Sequence, residues 1–198
     1  MPSKAKFWNI ANEVSLSRLL ILPFLIYFLY TDIFQLKLTA LILSIIVIAM
    51  DALDGYLARK YNAATEFGAV LDVAIDRIVE NIFWITLAHL RVFPIWAPLI
   101  VITRGFLIDA VRTMALTKGK QTFDMMKSKW GYALVASHLS RGLYGISKVL
   151  VFVLGILTLM YPIPWLNSIV YFTTVYVVIF CILRGIFTIW DSRNLLED

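Results

Sequence analysis

Four aspartates in this 198-residue chain have the residue type and spacing to do chemistry: Asp51 with Asp54, three apart, and Asp72 with Asp76, four apart. Both spacings put the pair on one face of a helix, so two adjacent antiparallel helices can aim all four carboxylates at one point. No His or Cys stands near them. Such a set is made of hard oxygen donors, which suit Mg²⁺, Mn²⁺ or Ca²⁺ rather than zinc or copper, and four formal negative charges in one pocket suggest two divalent ions. Gly55 and Ala58 alternate with the acids and leave a backbone surface without bulk, while Arg59 and Lys60 add positive charge beside it. Phosphate is the natural ligand of such a surface. Two metals can clamp a diphosphate, neutralise charge on a leaving oxygen and hold an attacking hydroxyl in line, with a spare carboxylate as base. The plainer reading, helix-end acids paired with Arg59, Lys60 and Arg77, does not require the full spacing pattern.

The elements that must position these acids are membrane helices. Hydrophobic residues make up 61% of the chain and charged ones only 16%, with a mean hydropathy of +0.82. A soluble domain carries about a quarter charged residues, whereas a bilayer core about 30 Å thick absorbs helices of about 20 apolar residues. Apolar runs and their breakers predict six spans, at about 15–30, 35–59, 66–90, 94–116, 137–160 and 165–190. Residues 1–14, with Lys4 and Lys6 among Phe7, Trp8 and Ile10, suit a short juxtamembrane amphipathic helix lying in the headgroup region. The fold class expected is therefore an all-α integral membrane protein, with 1–14 as an interfacial segment and 15–198 as one six-helix domain. No small-residue cleavage site ends the first apolar run, so it is expected to stay as a span. Cys181 sits alone in an apolar run and reads as a small buried hydrophobe.

Alternating these spans across a bilayer leaves only Lys37 and Arg91, of the 18 Lys and Arg, on the side away from the N-terminus. That asymmetry places both termini, the 118–136 loop and the acids on the cytoplasmic side. The basic loop with Lys118, Lys120, Lys127 and Lys129 then reads as a topology signal with attraction to anionic lipid. The expected partner is the bilayer, with no nucleic acid. A carboxylate inside a span costs several kcal/mol unless paired, metal-bound or hydrated, which is the physical reason for reading the aspartates as a site.

The string DALDGYLARKYNAATEFGAVLDVAID resembles the signature of the CDP-alcohol phosphatidyltransferases, with Asp51, Asp54, Gly55, Ala58, Arg59, Gly68, Asp72 and Asp76 at its fixed positions. The resemblance implies a six-helix membrane enzyme of phospholipid synthesis, typically a homodimer. It would move the phosphatidyl group of a CDP-linked lipid such as CDP-diacylglycerol onto an alcohol and release CMP. It also implies that Asp51, Asp54, Asp72 and Asp76 hold two Mg²⁺ or Mn²⁺ ions and that Asp76 is the base toward the acceptor hydroxyl. Gly55, Ala58, Arg59 and Gly68, with Asp54, would accommodate the cytidine diphosphate.

For the acceptor, the run ITRGFLIDAVRTMALTKG resembles the bacterial phosphatidylglycerophosphate synthases of that family, with Arg104 and Arg112 at their arginine positions and Lys148 in GISKV at a later lysine. LSRLLILPF, with Arg18 and Pro23, resembles the same subfamily. Gly105 stands where those enzymes usually carry an acid. Several cations near a cytoplasmic-half cavity are what a phosphorylated acceptor such as glycerol 3-phosphate needs, so Arg104, Arg112 and Lys148 are the candidate phosphate ligands, in the inner membrane of a prokaryote. Inositol phosphate and phosphatidylglycerol remain alternative acceptors. From another class, a divalent-metal or substrate transporter would also carry intramembrane acids, but favours a midplane site between two repeats, and no repeat is evident. Among the remaining charges, Glu80 is expected to partner Arg77, and Asp109 competes for Arg104 and Arg112. His89 and His138 are isolated and not expected to be ligands, and Trp96, Trp165 and Trp190 read as interfacial anchors.

Overall fold

With no water to hydrogen-bond the backbone, an apolar chain crosses lipid as helix, and helix is what these runs form. The computed structural model describes the backbone of residues 10–60, 65–117 and 128–196, and the side chains of 12–51, 65, 67–117 and 128–193. The helices are α1 (Ile10–Leu29), α2 (Phe34–Lys60), α3 (Glu66–His89), α4 (Trp96–Thr117), a one-turn α5 (Lys129–Gly131) that runs into a π-helical turn at Tyr132–Ala136, α6 (His138–Met160) and α7 (Pro164–Leu196). No strand occurs among the described residues.

The six long helices fall on the six expected apolar runs, but they differ in polarity. Among the described residues, four segments, Asn12–Leu29, Phe34–Asp51, His138–Met160 and Pro164–Arg193, are long and apolar enough to cross a membrane. The other two are as long, 24 and 22 residues against 23 for α6. They differ because α3 carries Asp72, Asp76, Arg77 and Glu80, and α4 carries Arg104, Asp109 and Arg112. The expected interfacial helix falls mostly on residues outside the described ones; Ile10–Glu13 form the first turn of α1, which therefore begins earlier than the expected first span. Of the basic loop, 118–127 also lies outside the described residues. Its end is the α5 and π-helical segment, which the apolar pattern did not reveal.

The chain forms two compact units. The first comprises Met1–Val92 and Val153–Ile163. In it α1 packs along α2 and α3, around Leu22, Leu25, Ile75, Phe83, Trp84 and Leu87. Apolar burial drives little association within lipid, so close backbone approach and polar contacts matter more. Ala40 and Ser44 of α2 are fully buried, and a Cβ on Gly68 of α3 would stand 2.7 Å from Asn12 Oδ1 on α1. Thr65 caps α3: its backbone is extended and its hydroxyl accepts from Gly68 N at 2.9 Å. At the other end Arg91 takes a left-handed φ of 58°, and Val92 N donates to Leu87 O at 2.9 Å, closing a Schellman-type turn. Lys37 donates to Leu159 O at 3.1 Å, and Phe34 meets Tyr161 edge to face.

The second unit comprises Phe93–Phe152 and Pro164–Asp198. Here α4 packs on α7, as do α5 and the π-helical turn. Ala97 and Gly105 of α4 and Val170, Val177 and Cys181 of α7 are buried; Cys181 is a free thiol, as its apolar setting predicts. Ser128 caps α5, accepting from Gly131 N, and gives its own hydroxyl to Asp191 Oδ2 at 2.9 Å. Asp191 thereby ties the end of α7 to the start of α5.

Candidate active site

Asp51 lies late in α2, and Asp72 and Asp76 one turn apart in α3. By the helical rise Asp72 and Asp76 stand about 9 and 15 Å from the start of α3, deep enough that their charges need partners. The fold brings the three together. One carboxylate oxygen from each of Asp51, Asp72 and Asp76 can be chosen so that all lie within 4.8 Å of one another. Asp54, Gly55, Ala58 and Arg59 occupy the last turns of α2, but their side chains lie outside the described residues. An all-oxygen, all-carboxylate donor set at this spacing could hold a hard divalent cation, and its chemistry fits Mg²⁺ or Mn²⁺.

A fourth residue completes the cluster, and reasoning from spacing missed it. Arg18 of α1 donates from Nη1 to Asp51 Oδ1 at 2.9 Å and to Asp76 Oδ1 at 2.8 Å, and from Nη2 to Asp72 Oδ1 at 2.9 Å. Its side chain is 2% exposed, against 49%, 40% and 41% for Asp51, Asp72 and Asp76. The guanidinium therefore reaches the carboxylates from their buried side. The available signal was an arginine inside an apolar run, which needs a partner to be there at all; it had served only as a topology charge and a subfamily match. Gly68, the signature glycine of α3, lies under Asn12 and Thr65.

The sequence-predicted cations lie in the second unit. Arg104 and Arg112 of α4 stand within electrostatic reach of Arg184 of α7, and the Arg104 stem lies against Gly185, where a Cβ would come within 3.0 Å of its Cγ. Arg112 forms a long ion pair with Asp109, at 3.8 Å. Lys148 holds its ammonium over the Tyr144 ring at 4.9 Å, and Arg184 lies over the same ring at 5.2 Å. Arg184 itself is buried and engaged: it donates to Leu134 O, Ser140 Oγ and Val135 O, holding the π-helical turn. A cavity of about 400 Å³ beside Arg104 is walled by apolar residues of α4 and α7, among them Leu99, Leu107, Ile182 and Ile186.

Glu80 lies 3.9 Å from Arg77. His89 packs edge to face on Tyr30, and His138 shares a hydrogen bond with Arg141. Trp165 and Trp190 are largely exposed near the ends of α7.

The family model described as CDP-alcohol phosphatidyltransferase matches residues 8–190. A Bacillus subtilis protein named CDP-diacylglycerol–glycerol-3-phosphate 3-phosphatidyltransferase is 29% identical over 147 residues, 67% of this chain and 76% of its own. A Haemophilus influenzae protein of the same name is 31% identical over 126 residues, 63% of this chain and 68% of its own. One from Aquifex aeolicus is 39% identical over 70 residues, 35% of this chain and 38% of its own.

Proposed function

The chain belongs to the CDP-alcohol phosphatidyltransferase family, and we propose that it transfers the phosphatidyl group of CDP-diacylglycerol to glycerol 3-phosphate, giving phosphatidylglycerophosphate and CMP. It is an enzyme of phospholipid synthesis rather than a transporter. The observation that carries the reading is the convergence of Asp51, Asp72 and Asp76 on one point in a chain whose family transfers phosphatidyl groups. The relatives' name supports glycerol 3-phosphate as acceptor.

In this reading Asp51, Asp54, Asp72 and Asp76 hold two Mg²⁺ or Mn²⁺ ions, which when bound neutralise the diphosphate and the departing CMP oxygen. Asp76 takes the proton of the acceptor hydroxyl. The freed oxygen forms a bond to the phosphatidyl phosphorus as the bond from that phosphorus to CMP breaks. Gly55, Ala58, Arg59 and Gly68, with Asp54, accommodate the cytidine diphosphate. Arg104, Arg112 and Lys148 bind the acceptor phosphate; their support is the cationic grouping of Arg104 and Arg112 near Arg184.

We place the enzyme in the inner membrane of a prokaryote, as a homodimer with cytoplasmic termini and a cytoplasm-facing site. Residues 1–14 lie at the interface and 15–198 form the membrane domain. α3 and α4 are the two further spans, with charges turned to protein and substrate rather than lipid. The test is to incubate purified protein with CDP-diacylglycerol, Mg²⁺ or Mn²⁺ and, separately, glycerol 3-phosphate, inositol phosphate and phosphatidylglycerol, following CMP. Release with glycerol 3-phosphate is expected. Release only with inositol phosphate or phosphatidylglycerol would reassign the acceptor, and none with any would overturn the reaction.

A further inference from the structure

Arg18 is the most buried charge in the cluster and the one the reaction does not use. A buried guanidinium is tolerated only when its charge is compensated, and here both Nη groups are taken by the three carboxylates themselves. Three carboxylates this close repel one another, each opposing the ionisation of its neighbours. Arg18 offsets that repulsion from behind: Nη1 spans Asp51 of α2 and Asp76 of α3, and Nη2 takes Asp72. A planar fork can serve three acceptors on two helices at once, which a lysine ammonium, a compact point charge, does less well. The half-exposed sides of the carboxylates stay open to a ligand.

We infer that Arg18 is a positioning residue of the metal site, an internal counter-cation that holds Asp51, Asp72 and Asp76 together without metal and, by its charge, weakens the grip of the same carboxylates on divalent ions. The site is thereby kept assembled when empty and kept from binding its ions too tightly. This rests on the reading that the aspartates hold metal. It predicts opposite effects of losing Arg18 on the two forms of the protein: the metal-free fold weakens, and metal binding strengthens.

The test uses the full chain in detergent as wild type, Arg18→Gln, Arg18→Lys and the double variant Arg18→Gln with Asp51→Asn. Mn²⁺ binding is read from the free-ion paramagnetic resonance signal, and thermal unfolding is followed with and without Mn²⁺. Arg18→Gln is expected to unfold at lower temperature without metal, to bind Mn²⁺ at least about tenfold more tightly, and to gain more in Tm from Mn²⁺ than wild type does. Arg18→Lys, which keeps the charge, should bind Mn²⁺ within about threefold of wild type. The double variant restores the net charge of the four-residue cluster and should recover most of the metal-free stability, which keeps the test decisive if Arg18→Gln alone does not fold. Unchanged or weaker Mn²⁺ binding in Arg18→Gln would reduce Arg18 to a strut and overturn the inference, as would a double variant no more stable than the single one. If wild type binds no Mn²⁺, the metal reading of the aspartates fails first and takes this inference with it.

Discussion

Gly68 of α3 lies so close beneath Asn12 of α1 that a single added methyl group would stand 2.7 Å from Asn12 Oδ1 and 2.9 Å from the Thr65 hydroxyl. Asn12 is buried, so it has little room to retreat, and the Thr65 hydroxyl is the cap of α3. The glycine thus sets how near α1 comes to α3, and α1 is the helix that delivers Arg18 to the aspartates. Gly68→Ala is expected to cost about 1 to 2 kcal/mol through the lost cap and the displaced helix, read as a lower Tm in detergent. A variant with a normal Tm would show that the contact is dispensable.

Asp76→Asn keeps the shape of the side chain and removes its capacity to accept a proton. Turnover should fall by about 10³-fold or more, on the scale of losing a general base and a metal ligand together, while the CDP-lipid still binds. Equilibrium binding of CDP-diacylglycerol beside the CMP-release rate separates the two effects. A variant that keeps its turnover removes Asp76 as base.

Arg112→Gln is expected to raise the KM for glycerol 3-phosphate by about tenfold or more, the worth of one charge-assisted hydrogen bond to phosphate, and to leave the KM for the CDP-lipid nearly unchanged. Equal effects on both substrates would take Arg112 out of the acceptor site.

Arg184→Met removes three hydrogen bonds from a buried cation and takes one donor each from the Leu134 and Val135 carbonyls of the π-helical turn, Leu134 O keeping the Ser140 hydroxyl. A loss of about 2 to 4 kcal/mol is expected, seen as a lower Tm and faster protease cleavage between 128 and 137. Protection equal to wild type would mean that other contacts hold the turn.

Chelation by EDTA should abolish CMP release, and Mg²⁺ or Mn²⁺ should restore it where Zn²⁺ does not, because an all-carboxylate donor set favours hard cations. Full activity after chelation would exclude the two-ion reading.

The helices and the acids were legible along the chain because each rests on local periodicity. Apolar runs mark helices wherever lipid is the solvent, and spacings of three and four residues put Asp51 with Asp54, and Asp72 with Asp76, on single helix faces before any packing is known. The signature made their chemistry readable too. Cys181, and the exposed tryptophans at the ends of α7, follow from the same local pattern.

What the linear pattern could not carry is partnership across long separations. Arg18 is 33 residues from Asp51 and 58 from Asp76, and nothing in its immediate neighbours distinguishes a counter-ion from a topology charge. Arg184 holding the turn 50 residues earlier, and Asp191 receiving Ser128 from 63 residues away, are of the same kind. A buried charge announces in sequence that it must have a partner, since apolar surroundings leave it no alternative. Which partner it finds depends on how closely the helices approach, and here that distance is set by small residues such as Gly68, acting through the folded chain.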